Sequence, residues 1–206
     1  MKFIKENIPI RAVDVYNSIH PDKSYTGSDY FVTEVRNELN VTLEGIEGDR
    51  HKGYTTSSGN RFTSLYQRGS VVRNNRQWSA ISPWEVGEIG QNLGIRGLTP
   101  QLLGVNLLID GVNALSKLSP MQYLVFSSED TFKPGRPEDV TLVVYGEALP
   151  CTIAGRALVK PLGDVALENK FSKAAMGSRG TTGWVEHGGV IRPGDYGWIL
   201  TPTGRD

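Results

Sequence analysis

The chain has 206 residues and a balanced charge, with 22 Lys and Arg against 22 Asp and Glu. This balance argues against binding to nucleic acid or to an acidic membrane over a large surface. The 24 glycines and 11 prolines recur as frequent turn signals, which predict many short strands rather than long helices. We expect one domain over residues 1–206, since this length can bury a substantial core.

No apolar run approaches the roughly 18 residues that a membrane span requires. Residues 1–7 lack the apolar segment and the cleavage site of a secretory signal. The sequence therefore predicts no membrane association. A single cysteine, Cys151, cannot form an intramolecular disulfide, so we expect a cytoplasmic protein in which the thiol stays reduced. That thiol is either a small buried apolar group or a chemically used thiolate.

Alternation of apolar and polar residues predicts short strands along most of the chain. They fall at 8–16, 31–43 (one or two strands), 62–66, 70–72, 105–110, 122–126, 140–145, 183–186 and 196–200. Helices are predicted from the capping box at Ser82 to Gly87 or Gly90, for one turn at 99–103, and from Asp164 to Met176. This pattern predicts an all-β fold with a few short helices, an antiparallel barrel that is closed or nearly closed.

Two segments concentrate charged groups on turns. Residues 45–53 hold Asp49, Arg50 and His51 between three glycines, which is typical either of a functional loop or of a solvated turn. Residues 61–76 are the most basic part of the chain and include Arg73. Their guanidinium groups suit a phosphate or carboxylate, although a solvated face explains each of them equally well.

Cys151 follows Pro150 directly, after the β-prone run 140–145 and Gly146. Proline cannot donate to a sheet ladder, so the chain must reach an edge or bend there. We therefore expect the thiol at the mouth of the barrel. The glycine-rich residues 177–183, which include Arg179, predict a flexible polar loop that could close on a ligand.

The order of these motifs resembles the MOSC domain, the family named after the C-terminal part of molybdenum cofactor sulfurases. The resemblance covers about residues 10–202 and rests on segments 45–51, 90–93, 103–107, 150–156, 176–186 and 192–195. One departure concerns Gln91, because many relatives carry a glutamate at that position. An acid–base role at Gln91 is therefore not expected.

The resemblance implies a barrel-like fold and a role with molybdenum cofactor (molybdopterin) or sulfur, centred on Cys151. The cysteine is expected either to coordinate molybdenum or to carry sulfane sulfur as a persulfide. Such proteins reduce N-hydroxylated compounds or deliver sulfur to a metal cofactor, with a cysteine desulfurase or a separate reductase as donor. The residues assigned to cofactor binding are Asp49, Arg50, His51, Arg73, Asn92, Arg156 and Arg179.

Two other classes of protein were compared with this interpretation. The first is a non-enzymatic barrel that binds a ligand or a protein and keeps the cysteine as a structural residue. The second, a metal hydrolase using His20, His51 and His187, is disfavoured because no two histidines have ligand spacing. The four tryptophans and the glycine loops are compatible with a protein interface but do not locate one.

Overall fold

Short strands dominate the computed structural model, which describes residues 6–19, 32–59 and 65–203. In chain order they are β1 Glu6–Ile19, β2 Val32–Arg36, β3 Leu39–Thr42, β4 Gly45–Ile46, β5 Thr55–Ser57, β6 Val71–Arg73, β7 Trp78–Ile81, β8 Leu107–Asp110, β9 Tyr123–Ser127, β10 Val140–Glu147, β11 Thr181–His187, β12 Gly189–Ile191 and β13 Tyr196–Thr201.

Seven of these strands close into a barrel in the order β13-β9-β10-β11-β7-β8-β1, and β13 pairs with β1 to complete it. Strand β2 extends the sheet beyond β1. The predicted barrel is confirmed, with one difference: β7 and β8 run parallel, so the barrel is mixed. The chain between them contains a helix and a 3-10 turn, since parallel neighbours require a long crossover connection.

Alternate residues of the barrel strands fill its interior, as a pleat of period two requires. The buried cluster includes Ile10, Leu107, Phe126, Leu142 and Ile199, each at most 5% exposed. Full burial of one such side chain contributes about 1.5–3 kcal/mol. The barrel interior is therefore a packed core rather than a channel.

Three short helices cover one side of the barrel: α1 Pro83–Leu93, α2 Thr152–Leu162 and α3 Leu167–Ala174, with 3-10 turns at Gln101–Leu103 and Leu115–Lys117. A second buried cluster joins these helices to the outer face of β7 and β8. Gly155 lets α2 approach α3 closely, because a Cβ there would lie 2.6 Å from the carbonyl oxygen of Glu168. None of the described helices is long and apolar enough to cross a membrane.

The helix predictions are confirmed in part. The capping box at Ser82 and Glu85 is present, and Gln101–Leu103 forms the predicted turn. The predicted end of α1 at Gly87 or Gly90 is wrong, because the helix continues to Leu93 and ends at Gly94 in the left-handed region. Tertiary contacts outweigh the roughly 1 kcal/mol that a glycine costs inside a helix. Helix α2 was not predicted.

The strand predictions hold over most of the described chain. The strand expected at 62–66 falls largely outside the described residues, and Leu65 and Tyr66 lie in no strand. The predicted end of the strand before Gly146 is also wrong. Strand β10 continues to Glu147, and the register shift between Val144 and Gly146 accommodates the glycine as a bulge.

Candidate functional site

Cys151 lies at the N-terminus of a helix rather than at the end of a strand. After β10, the backbone amide of Ala148 donates to the carbonyl oxygen of Gly180 at 3.0 Å, and the chain then bends through Pro150. Cys151 is the N-cap residue of α2, with extended backbone angles (φ −144°, ψ 166°). The predicted bend is present, and the helix that follows it gives the thiol a different setting.

The thiol is half-buried and makes no capping hydrogen bond to its own helix. It packs against the apolar cluster between the helices and the barrel, which includes Leu103 and Leu158. Helix N-termini carry a partial positive charge from their unpaired amides, and this charge favours an anion. Cys151 therefore combines partial access with a position suited to a negatively charged sulfur.

Asp49 organises the loop that follows β4. Its carboxylate is fully buried and accepts four hydrogen bonds. One oxygen accepts from the Ser18 amide (2.8 Å) and from Nδ2 of Asn106 (2.7 Å), and the other from the His51 amide (2.8 Å) and Nδ1 (3.0 Å). Burial alone would raise the pKa of Asp49, but the hydrogen bonds from His51 and Ser18 outweigh it and lower the pKa.

His51 and Arg50 are presented by this anchored loop. The imidazole is one-third exposed and is oriented by Asp49 through Nδ1, which leaves Nε2 for other partners. Arg50 is half-buried, and its backbone amide donates to the Ser18 carbonyl at 2.9 Å. The structure therefore supports the interpretation of residues 45–53 as a loop held by buried hydrogen bonds rather than a solvated turn. The roles of Arg50 and His51 in cofactor binding stay a prediction.

Residues 178–180 are buried and Gly177 is half-buried, so the prediction of a flexible loop is wrong. The Gly177 amide donates to Oε1 of Glu147 at 2.7 Å, and the Ser178 hydroxyl donates to Glu88. The Arg179 guanidinium is 7% exposed and donates to the carbonyl oxygen of Leu103. The Gly177 amide and the side chains of Ser178 and Arg179 thus connect the loop to three elements of the fold, which fixes it beside the strand that leads to Cys151.

Glu85 is a buried carboxylate that the sequence indicated only as part of a helix cap. It is fully buried and accepts from the amides of Ser82 (3.0 Å) and Ser116 (2.8 Å). The Ser116 hydroxyl then donates to the Gly177 carbonyl at 2.5 Å. Burial raises the pKa of Glu85, and the hydrogen bonds to its carboxylate oppose this shift. The capping box was the only signal of this residue in the sequence.

Three other predicted contacts have partners within the protein. Arg156 donates to Glu168 across α2 and α3, through Nε at 3.0 Å and Nη2 at 2.5 Å. The Asn92 amide donates to the carbonyl oxygen of Ala174 at 2.9 Å. Arg73 lies 4.9 Å over the ring of Trp184, in a groove that Cys151 does not line. Their part in a cofactor site stays a prediction.

The donor set was also compared with what a metal needs. Within residues 6–19, 32–59 and 65–203, no three His, Cys, Asp or Glu side chains are grouped to hold an ion. His51 is bound to Asp49, and Nδ1 of His187 lies 2.8 Å from the Asp139 carbonyl oxygen. His20 lies outside the described residues. The soft thiol of Cys151 is thus the side chain best suited to a soft metal or to sulfur.

Comparisons with known proteins agree on one family. The sequence model of the MOSC domain matches residues 53–196. A Bacillus subtilis (strain 168) protein named "Putative metal-sulfur cluster biosynthesis proteins YuaD" is 31% identical over 166 residues, which are 80% of this chain and 81% of that protein.

Solved structures show the same likeness. The crystal structure of the YuaD protein from Bacillus subtilis aligns with a TM-score of 0.81 at 26% identity and covers 95% of this chain and 98% of that one. YiiM from Escherichia coli aligns with a TM-score of 0.50 at 15% identity, over 98% and 71% of the two chains. At 15% identity the second likeness concerns the fold alone.

Proposed function

Since this chain belongs to the MOSC domain family, we propose that it carries sulfur on Cys151 for the assembly of a metal–sulfur centre or a metal cofactor. The observation that carries the proposal is the half-buried thiol at the N-cap of α2. The name of the YuaD protein, which refers to metal–sulfur cluster biosynthesis, agrees with this role.

The setting of Cys151 suits a sulfur carrier for two reasons. The side chain makes no capping hydrogen bond with its helix, so the sulfur gives up no such bond before it reacts. A thiolate is the reactive form of cysteine in sulfur exchange, and the helix N-terminus favours an anion there. The apolar cluster against which the thiol packs shields part of the sulfur from water.

The proposed reaction transfers one sulfur atom without net oxidation or reduction. The Cys151 thiolate attacks the outer sulfur of a persulfide on the donor, which we infer to be a cysteine desulfurase. The sulfur–sulfur bond of the donor breaks, and its cysteine leaves as a thiolate. Cys151 then holds the persulfide until a nucleophile of the acceptor attacks the outer sulfur and releases the Cys151 thiolate.

The residues offer a molybdenum cofactor an incomplete fit. Cys151 provides a soft ligand of the kind that suits such a metal. Of the arginines expected to hold the phosphate, Arg156 already binds Glu168 and Arg73 lies over Trp184 in a groove apart from Cys151. The proposed reaction therefore does not involve this cofactor. Arg179 is buried and donates to the Leu103 carbonyl oxygen, so Arg50 stays the candidate for the anionic end of the cofactor.

Sulfur loading can be measured directly on the intact protein. Reduced protein is incubated with a cysteine desulfurase and isotope-labelled cysteine, and its mass is then recorded. We expect a gain of one labelled sulfur atom on the wild type and none on Cys151→Ser. Alanine release confirms that the desulfurase is active. If alanine is released and the wild type gains no sulfur, the proposal is wrong.

Two further measurements separate the alternatives. Elemental analysis of protein from a cofactor-producing host would show molybdenum on the wild type and not on Cys151→Ser if the thiol binds the metal instead. Alkylation of the native protein tests the structural alternative. A thiol that stays unmodified until the protein unfolds, together with an absence of sulfur loading, would identify Cys151 as a packing residue.

A further inference from the structure

The groove in which Arg73 lies is on the outer side of the barrel. It has a volume of about 770 Å³ and is lined by residues that include Arg73, Asn75, Met121, Tyr145, Trp184 and Glu186. They come from the end of β6, from the turn before β9, and from β10 and β11. The volume falls in the range of about 300–1,000 Å³ that is typical of small-molecule sites. Cys151 does not line this groove.

The groove holds one cation and one carboxylate that do not neutralise each other. The Arg73 guanidinium is stacked 4.9 Å above the Trp184 ring, which holds its planar fork in place. Glu186 is exposed. Neither side chain forms an ion pair with any residue in the described part of the chain. The groove thus offers an anion site and a cation site together.

Asn75 adds an acceptor that lacks a donor. Its Oδ1 atom is buried and has no hydrogen-bond partner among the described residues. Buried polar atoms are normally paired, so an orphaned acceptor beside a groove indicates a missing donor. Binding through this oxygen requires the Asn75 side chain to rotate until the oxygen faces the groove.

The apolar part of the groove is formed by Tyr145, Met121 and Val144. Met121 has φ 70°, the one positive φ of a non-glycine residue in the described ranges, and its amide donates to the Val144 carbonyl at 2.9 Å. Non-glycine residues rarely adopt this backbone conformation, and where they do it is often beside a ligand. The strained turn places a flexible, polarisable side chain, 48% exposed, at the edge of the groove.

We propose that this groove binds a zwitterionic α-amino acid with a large apolar side chain. Its carboxylate pairs with the fork of Arg73, and its ammonium group donates to Glu186 and to Oδ1 of Asn75. Its side chain packs on Tyr145 and Met121. This combination matches both charges and the unused acceptor, whereas a simple anion or a simple cation would satisfy only one side of the groove.

The test uses L-phenylalanine and two analogues, each of which lacks one charge. Binding is measured by calorimetry on Cys151→Ser protein, so that thiol chemistry does not contribute. We expect L-phenylalanine to bind at least about tenfold more tightly than phenylalaninamide or 3-phenylpropionate, since a charge-assisted contact is lost in each analogue.

Variants assign each contact. Arg73→Gln should weaken L-phenylalanine binding about tenfold and should not weaken phenylalaninamide binding, because the lost contact is the same one. Glu186→Gln should behave in the same way toward 3-phenylpropionate. Arg68→Gln, an exposed arginine outside the groove, is the matched control and should bind as the parent does. Equal affinity for the three probes, no effect of Arg73→Gln, or no binding at millimolar concentration would overturn the proposal.

Discussion

Replacing Asp49 by asparagine tests whether the loop beside β4 is held by a buried carboxylate. The substitution keeps the size of the side chain and removes one acceptor oxygen. The two carboxylate oxygens each accept two hydrogen bonds, from Ser18 and Asn106 on one side and from His51 on the other. An asparagine can serve only one of these pairs, since its amide nitrogen is a donor.

The expected loss of stability depends on which pair of hydrogen bonds the asparagine gives up. Ser18 is fully buried and Asn106 is 1% exposed, so the remaining oxygen is expected to face them. The His51 bonds are then lost, and hydrogen bonds to a charged group contribute about 1.5–3 kcal/mol each. Because His51 is partly exposed, water compensates for some of this loss. We expect a decrease of about 2–4 kcal/mol in the free energy of unfolding, a large fraction of a typical 5–15 kcal/mol.

Urea unfolding followed by tryptophan fluorescence measures this change, since the chain has four tryptophans. With a urea slope near the upper end of about 1–3 kcal/mol/M for a chain of this size, the midpoint should fall by roughly 1 M. Asp110→Asn is the matched control. Asp110 is exposed, and among the described residues its carboxylate accepts only from the adjacent Gly111 amide, so its effect should stay within about 0.5 kcal/mol.

The pH dependence of the free energy of unfolding provides an independent test. The folded-state pKa of Asp49 is lowered, so its contribution to stability is present above the usual aspartate value of about 4 and is lost as pH falls through the folded value. The gap between wild type and Asp49→Asn should therefore narrow below about pH 4. Equal midpoints at neutral pH, or an equal fall in the Asp110→Asn control, would refute the argument.

Further outcomes are expected elsewhere in the chain. Gly180→Ala should lower the melting temperature far more than Gly163→Ala, because its Cβ would lie 2.0 Å from the Ala80 carbonyl oxygen, whereas Gly163 has open space and a similar positive φ. Glu85→Gln should gain stability relative to wild type as pH rises above about 4.3, because burial raises the folded-state pKa of Glu85 and the wild type loses stability as pH rises toward that folded-state pKa. Urea midpoints across pH 4–8 measure this, and a difference between the two midpoints that does not change with pH would contradict it. Arg156→Gln should leave sulfur loading of the thiol unchanged in the mass assay, because the Arg156 guanidinium is already bound by a neighbouring carboxylate. A loss of loading in a folded variant would show that Arg156 takes part in the site.

Local patterns in the sequence determined the class of fold. Alternating residues in 140–145 and 196–200 mark strands whose inward side chains are buried, since burial on one face needs only a period of two. The capping box at Ser82 gave the start of α1, because its hydrogen bonds span only three residues. The order of the motifs indicated the MOSC family, which the comparisons support.

The tertiary structure alone decided how these parts meet. Strand β1 pairs with β13 nearly two hundred residues away, and no local pattern specifies such a register. The polar loop 177–180 looks flexible in sequence, but the Gly177 amide, Ser178 and Arg179 find partners on Glu147, Glu88 and Leu103 and residues 178–180 are buried. Long-range packing likewise stabilises α2, which places Cys151 at a helix N-terminus instead of a strand end. The sequence determined that one thiol was available, and long-range packing determined its surroundings.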